Sequence, residues 1–241
     1  MSVKKDVIHY LSYLDSRGVR TVSNTPAAGG AGTSAETLLG EIRNDKPLYG
    51  DIFNTSNKFT TLDEVKAHVG VCKKCRLNEC RKTIVFGEGA PQAKLMFIGE
   101  GPGQDEDETG RPFVGRAGQL LTKIIEAMGL KREDVYIANI VKCRPPANRT
   151  PADDEIIACA PYLAEQISVI KPKVIVALGA PATCTLFNRK IKISEMRGKF
   201  YDWMNGVKLM PTFHPAYLLR NPVDKKLVWD DMKKVMELMR D

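Results

Sequence analysis

The chain has 241 residues, of which 43% are hydrophobic and 7% aromatic, and it carries a formal net charge of +7 with an isoelectric point near 9.0. This is enough apolar material for one sizeable core, but no apolar run approaches the ~20 residues of a membrane helix, and the N-terminus lacks the apolar centre of a secretory signal. We therefore expect a cytoplasmic protein. The basic charge favours a polyanionic partner, although an ordinary solvated surface could have the same composition.

The first sixty residues differ in composition from the rest of the chain. Residues 6–17 predict a short helix with its apolar residues on one side. The segment TVSNTPAAGGAGTSAE, which follows, has the Gly, Ala, Ser and Thr content of a linker. We therefore predict an N-terminal helix and flexible linker over residues 1–60, and a folded domain over residues 61–241.

The second part of the chain alternates predicted strands and helices. It begins with a helix over residues 61–69, in which Thr61 and Glu64 have the spacing of a capping box. Apolar runs of strand length follow at residues 94–99, 135–141, 173–179 and 207–214. Helical patterns occupy residues 115–129, 150–170, 180–187 and 224 to the C-terminus. This alternation predicts an α/β fold, a three-layer α/β/α sandwich around a mainly parallel four-stranded sheet.

Four cysteines have a spacing typical of a metal site. Cys72 and Cys75 form a C-x2-C pair, and Cys143 and Cys159 follow far downstream, sixteen residues apart. In a reducing cytosol, clustered cysteines indicate metal binding or chemistry more than disulfides. Four converging thiolates would suit a [4Fe–4S] cluster or a structural zinc ion, whereas four separate buried thiols would have no common ligand.

Glycine-rich and polar residues follow the predicted strands, where ligands bind in parallel sheets. The first strand ends in GEGPG, residues 99–103, whose glycines allow a ligand to approach the backbone closely. The segment has neither the G-x-G-x-x-G pattern nor the Lys-Ser/Thr pair of a nucleotide-binding loop. An ordinary tight turn is the alternative. The five acids from Glu100 to Glu108 could form a solvated face or ligate a metal ion.

Two further residues could recognise a flat ligand. Phe113 lies among glycines, prolines and arginines, where an aromatic ring can stack on a base for ~1–3 kcal/mol or simply anchor a loop. Asn139 interrupts the apolar strand YIANIV, and its amide needs hydrogen-bond partners if it is buried. A carboxamide facing the ligand would match the O4 and N3–H edge of uracil. A core asparagine bonded to the backbone is the alternative.

The last predicted strand ends in HPAYLLRNP. The imidazole of His214, held at the strand end by Pro215, could donate to an oxygen on which negative charge develops. Leu218 and Leu219 could act as apolar wedges beside Arg220, a combination typical of proteins that intrude into a duplex. Backbone contacts of the histidine and packing of the leucines under the last helix are the alternatives.

Taken together, GEGPG, TGRPFVGRAGQLL, NIVKCRPPANRTP, HPAYLLRNP and the four cysteines closely resemble the family-four uracil-DNA glycosylases. The resemblance covers the chain from about residue 71 to the C-terminus, with the motifs in the family's order. It implies a uracil-DNA glycosylase-like fold and an enzyme that flips uracil out of DNA and hydrolyses its N-glycosidic bond, initiating base excision repair. It also implies a monomer, associated with the nucleoid, with a structural [4Fe–4S] cluster held by Cys72, Cys75, Cys143 and Cys159.

The resemblance further implies a role for each site residue. Phe113 would stack on the base, Asn139 would read its edge, and the Gly101 amide would meet O2. His214 would stabilise charge on O2, while Glu106 would lie near C5, where the methyl group of thymine would clash. The remaining residues implied are Glu100, which would support the sugar cation or activate water, and the DNA-contacting pair Leu218 and Arg220.

Some residues depart from the pattern. Gly101 stands where the best-known uracil glycosylases carry a water-activating aspartate, so we expect more reliance on leaving-group stabilisation. Ala216 replaces a serine common in the histidine motif, and Cys80 and Cys184 match no ligand position.

Three other functions compete with uracil excision. A variant that attaches covalently to the abasic sugar needs a histidine in the loop RPPANRTP, which has none. A broader-specificity iron–sulfur glycosylase would act on other deaminated bases, and Asn139 and Glu106 argue against it. The third is a non-catalytic, zinc-stapled nucleic-acid-binding protein.

Overall fold

The computed structural model describes residues 47–53 and 58–240, so the helix predicted over residues 6–17 and the linker after it lie outside the described residues. In the described part, one sheet has six strands in the order β1-β3-β2-β4-β6-β5. The strands are β1 (Glu88–Gly89), β2 (Leu95–Gly99), β3 (Tyr136–Asn139), β4 (Val174–Leu178), β5 (Tyr201–Asp202) and β6 (Lys208–Thr212).

The four strands predicted from apolar runs form the parallel centre of this sheet. Strand β2 pairs in parallel with β3 and β4, and β4 pairs in parallel with β6. The predicted number of four strands was nevertheless too small, because β1 and β5 add antiparallel strands at the two edges of the sheet. Each edge strand has only two residues and is not fully buried, so neither has the apolar run that marks the central strands.

Eight α-helices surround the sheet in the described residues. They are α1 (Leu62–Val69), α2 (Gln104–Thr109), α3 (Arg116–Ala127), α4 (Asp153–Ile170), α5 (Gly179–Phe187), α6 (Ile193–Met196), α7 (Pro215–Arg220) and α8 (Lys225–Arg240). The predicted capping box at Thr61 and Glu64 is present at the start of α1. Helices α2, α6 and α7 were not predicted, because each is at most six residues long and provides too few turns for a periodic pattern.

The sheet is buried on both faces, as its continuous apolar runs predict. Successive side chains of β2 point to opposite faces: Met96 and Ile98 join a core with helices α1, α4 and α5, and Leu95 and Phe97 join a second core with α3, α7 and α8. All four side chains are fully buried, each contributing about 1.5–3 kcal/mol of hydrophobic free energy. The predicted α/β arrangement with helices on both faces is confirmed.

Residues 48–53 also belong to the same packed unit as the described residues from 58 onward. Ile52 and Phe53 are each 7% exposed, and the Phe53 ring meets the Trp203 ring edge-on with centroids 5.4 Å apart. The Leu48 amide donates to the Asn188 carbonyl at 2.9 Å. The packed unit therefore reaches further toward the N-terminus than residue 61.

No helix among the described residues combines the length and apolar character needed to span a membrane.

Candidate functional site

A cavity of about 660 Å³ opens at the carboxyl ends of the four central strands. This is a typical size and place for a ligand site in an α/β fold. Its lining brings together seven of the predicted site residues, which are Glu100, Gly101, Glu106, Phe113, Asn139, His214 and Arg220. Residues from the loop after β3 complete the wall, namely Pro145, Asn148, Arg149 and Pro151.

Glu106 ties two parts of the cavity wall together. Its Oε2 accepts a hydrogen bond from the Gly103 amide at 3.0 Å, and its Oε1 accepts from the Val114 and Gly115 amides, both at 2.8 Å. The residue is 8% exposed. Asp107 beside it is 1% exposed and accepts from backbone amides, so these two acids do not belong to a solvated face.

Glu100 and Gly101 form the turn that leaves β2. Burial raises the pKa of the Glu100 carboxyl, and a hydrogen bond with Thr150 partly offsets this rise. A Cβ on Gly101 would come 2.8 Å from Cγ2 of Val141, so a side chain at position 101 would require the valine to shift. Gly101 itself carries no carboxylate, and Glu100 and Glu106 are the two acids that line this cavity.

Phe113 is buried in the cavity wall in an unusual backbone conformation. Its φ is 52°, in the left-handed region that bulky residues rarely adopt, and its side chain is only 6% exposed. The ring lies 5.6 Å from the His214 ring, tilted by 35°. Gly99 allows this packing, because a Cβ there would lie 2.5 Å from both the Phe113 ring and Oδ1 of Asn139.

Asn139 ends β3 and presents an unpartnered oxygen. The residue is 1% exposed and lines the cavity, but its Oδ1 has no hydrogen-bond partner. A buried polar atom without a partner costs ~1–3 kcal/mol, which makes it an exception that a ligand would explain. The amide is therefore not the backbone-bonded core asparagine of the alternative interpretation.

His214 is held as a neutral donor. Its Nδ1 accepts a hydrogen bond from the Ala216 amide at 3.0 Å, so the hydrogen of the neutral ring resides on Nε2. Burial, together with the nearby Arg220 charge, lowers the pKa of His214 from 6.5 to about 4, against an opposing effect of Glu106. Gly179 makes room for the imidazole, because a Cβ there would lie 2.9 Å from Cβ of His214.

The segment after His214 is a helix, α7, and this changes which leucine is available at the surface. Leu218 has 0% exposure and packs in the core with α3 and α8, so its side chain cannot act as a wedge in this conformation. Leu219 is 37% exposed, and Arg220 is exposed at the edge of the cavity. Because successive residues of an α-helix point in directions about 100° apart, Leu218 faces the core while Leu219 reaches the surface, which an assumed loop conformation could not predict.

The four predicted ligand cysteines line a second, smaller cavity. Three of their sulfurs accept hydrogen bonds, Cys143 from Arg81 at 3.2 Å, Cys159 from the Lys142 amide at 3.2 Å, and Cys72 from the Tyr162 hydroxyl at 3.4 Å. Donors of this kind stabilise thiolates that bind a metal or a cluster. Cys80 and Cys184 do not line this cavity.

Burial raises the pKa of the Cys159 thiol to about 12, and it raises the pKa values of Cys75 and Cys143 as well. Among the residues that the structure describes, no group of three or more His, Cys, Asp or Glu side chains is arranged to hold a single metal ion. The thiol set and its donors are nevertheless the chemistry that a multi-iron cluster requires.

Lys142 connects the two cavities and was missed by sequence reasoning. It is 1% exposed, and its Nζ donates to the Asn139 carbonyl at 2.9 Å and to Oε1 of Gln166 at 2.6 Å. Its own backbone amide donates to Cys159. The one feature of the sequence that could have indicated this role is the position of the lysine between an apolar strand and a cysteine. A lysine buried there needs specific hydrogen-bond partners.

Comparison with known proteins agrees with this geometry. Residues 86–233 match the model of the uracil DNA glycosylase superfamily. The type-4 uracil-DNA glycosylase of Thermotoga maritima is 47% identical over 74% of this chain and 95% of its own length.

Two relatives from Pyrobaculum aerophilum show that the chain is more similar to type-4 than to type-5 uracil-DNA glycosylases. Its type-4 uracil-DNA glycosylase is 49% identical over 63% of this chain and 81% of its own length. Its type-5 uracil-DNA glycosylase is 31% identical over 54% of this chain and 64% of its own length. The chain therefore belongs to the uracil-DNA glycosylase superfamily and, within it, to the type-4 family.

Proposed function

We propose that this protein is a uracil-DNA glycosylase, which hydrolyses the N-glycosidic bond of uracil in DNA and so initiates base excision repair. The observation that carries the proposal is the unpartnered Oδ1 of Asn139 in a cavity that also holds Phe113 and His214. The type-4 family membership and the uracil-DNA glycosylase names of the relatives support it. A non-catalytic nucleic-acid-binding protein would not need this combination of residues, and Asn139 and Glu106 argue against the broader-specificity glycosylase.

Recognition of the base follows from two residues. The target nucleotide leaves the duplex and enters the cavity, where the Phe113 ring stacks on the base. The Asn139 amide then meets the base edge, with Oδ1 accepting from N3–H and Nδ2 donating to O4. Cytosine has an acceptor at N3 and an amino group at C4, so the same amide orientation would oppose it.

Bond cleavage relies on His214 as a neutral donor. As the bond between C1′ and N1 breaks, the electron pair leaves with uracil, and negative charge develops on O2. The Nε2–H of His214 donates to O2, an interaction that strengthens as the charge grows. Water adds to C1′ and loses a proton, and the uracil anion gains a proton on release.

Two carboxylates have supporting roles in this proposal. Glu100 stabilises the developing sugar cation or orients the water, since Gly101 leaves no other carboxylate in the turn. Glu106 lines the C5 side of the base, where three backbone amides hold it rigidly and the methyl group of thymine would clash. The Gly101 amide meets O2 beside His214.

We further propose that Cys72, Cys75, Cys143 and Cys159 hold a [4Fe–4S] cluster. The shared cavity and the hydrogen bonds to three of the sulfurs support this assignment. The cluster would cross-link the four cysteines covalently and would take no part in the reaction. It would fix the segment after β3, and through Lys142 it would help to hold the carbonyl of Asn139 in place.

Contacts with DNA would surround the cavity mouth. Arg220 is exposed at its edge and would bind a phosphate. Leu219, which is exposed, replaces Leu218 as the candidate wedge. We propose that the enzyme acts on uracil-containing DNA as a monomer, as the resemblance to the family implies.

Alkali cleavage of labelled oligonucleotides tests the function. The protein should create abasic sites in strands that contain uracil and leave normal strands intact. Asn139→Asp should abolish excision, because a carboxylate repels O4 and cannot donate to it, while affinity for abasic DNA should persist. Absence of abasic sites with the parent protein would refute the proposal, and equal release of hypoxanthine or mismatched thymine would favour the broader-specificity enzyme.

A further inference from the structure

The loop that carries Phe113 is held in a conformation that it would not adopt by itself. A non-glycine residue in the left-handed region costs about 1–2 kcal/mol, more for a bulky side chain, and persists only where its surroundings impose it. Gly118 permits the close packing of this loop on α3, because a Cβ there would lie 1.9 Å from the carbonyl carbon and oxygen of Phe113. Other contacts must therefore supply the constraint.

Arg132 provides that constraint on the carbonyl side of the loop. Its Nη2 donates to the Pro112 carbonyl at 2.8 Å, and its Nη1 donates to the Phe113 carbonyl at 3.0 Å. Nη1 also donates to Oγ1 of Thr122 on α3 at 3.1 Å. The Arg132 side chain is only 18% exposed and lies near Glu88, with 3.6 Å between Nη2 and Oε1.

The amide side of the same loop is held by Glu106, which accepts from the next two backbone amides, Val114 and Gly115. The Arg132 guanidinium thus binds the carbonyls of residues 112 and 113, and the Glu106 carboxylate binds the amides of residues 114 and 115. The planar guanidinium suits this arrangement, because its donors have a fixed orientation that an ammonium lacks. The Phe113 ring therefore has little freedom to move away from His214.

We propose that Arg132, which does not line the cavity, is a positioning residue for base stacking: its guanidinium imposes the backbone conformation that presents the Phe113 ring to the flipped base. This inference rests on the proposed function and deepens it. Arg132 touches no substrate atom in this assignment. It acts through Phe113, so its contribution should be confined to steps in which the base is in the cavity.

The chain provides a matched control. Arg111 donates to both carboxylate oxygens of Glu88, the acid that also lies near Arg132, but it makes no hydrogen bond to the carbonyls of residues 112 and 113. Arg111→Gln therefore removes a cation from Glu88 without releasing the loop. Arg132→Gln removes both the cation and the loop contacts, and Arg132→Lys keeps the charge but not the fork of donors.

Three measurements on the full chain with its iron bound distinguish the roles. They are the single-turnover excision rate at saturating enzyme, the affinity for free uracil, and the affinity for abasic DNA. Arg132→Gln should lower the first two by about tenfold to a hundredfold, as misplacement of a binding group does, and leave the third within about twofold. Arg132→Lys should be intermediate, and Arg111→Gln should match the parent.

A double-mutant cycle decides whether the effect passes through the ring. In a Phe113→Ala background, Arg132→Gln should have almost no further effect, because there is no ring to place. Additive losses, or equal rates for Arg132→Gln and Arg111→Gln, would overturn the inference. If Arg132→Gln does not fold, Thr122→Val and Arg132→Lys test the same contacts. A parent protein that excises no uracil would instead refute the proposed function itself.

Discussion

At the scale of single residues, the site depends on side chains held in one chemical form. The Ala216 amide fixes the tautomer of His214, and this backbone contact does not depend on the side chain at position 216. The Asn139 amide is held at the end of β3 without a partner for its oxygen. Both features follow from backbone geometry around the residue, so neither can be deduced from the residue type alone.

His214→Ala should slow single-turnover excision by about a hundredfold to a thousandfold, the usual loss for an oxyanion donor. DNA affinity should remain near that of the parent, because the phosphate contacts are unchanged. Rapid-quench kinetics at saturating enzyme would measure the first quantity, and titration of abasic DNA the second. A parent-like rate in the variant would make Glu100 the leading candidate for the chemical step.

The depressed pKa of His214 also affects stability. Between pH 6.5 and about pH 4, the unfolded state binds a proton at this residue and the folded state does not. The free energy of unfolding should therefore fall as pH decreases through this window. Urea unfolding at pH 7 and pH 5 should show a smaller fall for His214→Gln than for the parent. The raised pKa of Glu100 acts in the opposite direction, so only this paired comparison isolates the histidine.

At the scale of elements, the sequence predicted the strands and helices whose apolar residues are buried. It did not predict the features that depend on contacts between residues far apart in the chain. Strands β2, β3, β4 and β6 have continuous apolar runs, and two of the helices that cover them, α3 and α8, have a clear amphipathic period. Helix α7 is shorter and proline-initiated, and its conformation decides that Leu218 faces the core. The amide contacts of Glu106 join residues eight and nine apart in the chain, which no local pattern reveals.

The same reasoning applies to the helix start at α4. Thr150 and the acids after it predict a cap at residue 150, but the helix begins at Asp153 with Ala152 at the cap position. Glu155 accepts from the Ala152 amide at 2.8 Å and also binds Arg149 and Arg76. Arg149 holds the pKa of this carboxyl at about 2 with help from Arg76, although burial opposes them. The start of this helix is therefore capped by the local contact of Glu155 with the Ala152 amide, and ion pairs with Arg149 and Arg76 hold the same carboxylate.

Loss of one cluster ligand should affect the whole domain. Cys143→Ala should abolish stable iron binding and strongly destabilise the protein, because the ligand adjoins the strand that carries Asn139. Cys184→Ala is the control, since that thiol lies outside the cavity of the four cysteines. Iron content, absorbance near 400 nm and thermal unfolding would be compared. Four irons per parent chain are expected, and zinc without iron in anaerobically prepared protein would contradict the cluster.

Removal of the N-terminal part should separate catalysis from stability. Chains beginning at Pro47 or at Thr60 should both excise uracil at the parent rate, because no residue before Thr60 lines the cavity in the described part of the chain. The shorter chain lacks Phe53 and should melt at a lower temperature, since burying one aromatic side chain contributes about 1.5–3 kcal/mol. Trp203 fluorescence would report the lost contact. A large loss of turnover in either chain would show that the removed segment serves the site.

At the scale of the whole molecule, the net charge of +7 should govern association with DNA. Arg220→Ala should weaken DNA binding and reduce the slope of log affinity against log salt concentration by about 1, the effect of one phosphate contact. Arg240→Ala removes an equal charge from the end of α8, away from the cavity, and should change the slope much less. Equal slopes for the two variants would indicate that only overall charge matters.

The unpartnered oxygen of Asn139 has a consequence for the end of the reaction cycle. Free uracil retains the same N3–H and O4 as the base in DNA, so cleavage of the sugar bond would remove none of the contacts proposed for Asn139. Departure of the product would remove the N3–H donor from the Oδ1 atom of Asn139, a contact that any molecule replacing uracil must restore. We therefore expect that the group proposed to select the base also retards its escape, and that repeated turnover is limited by release rather than by bond cleavage.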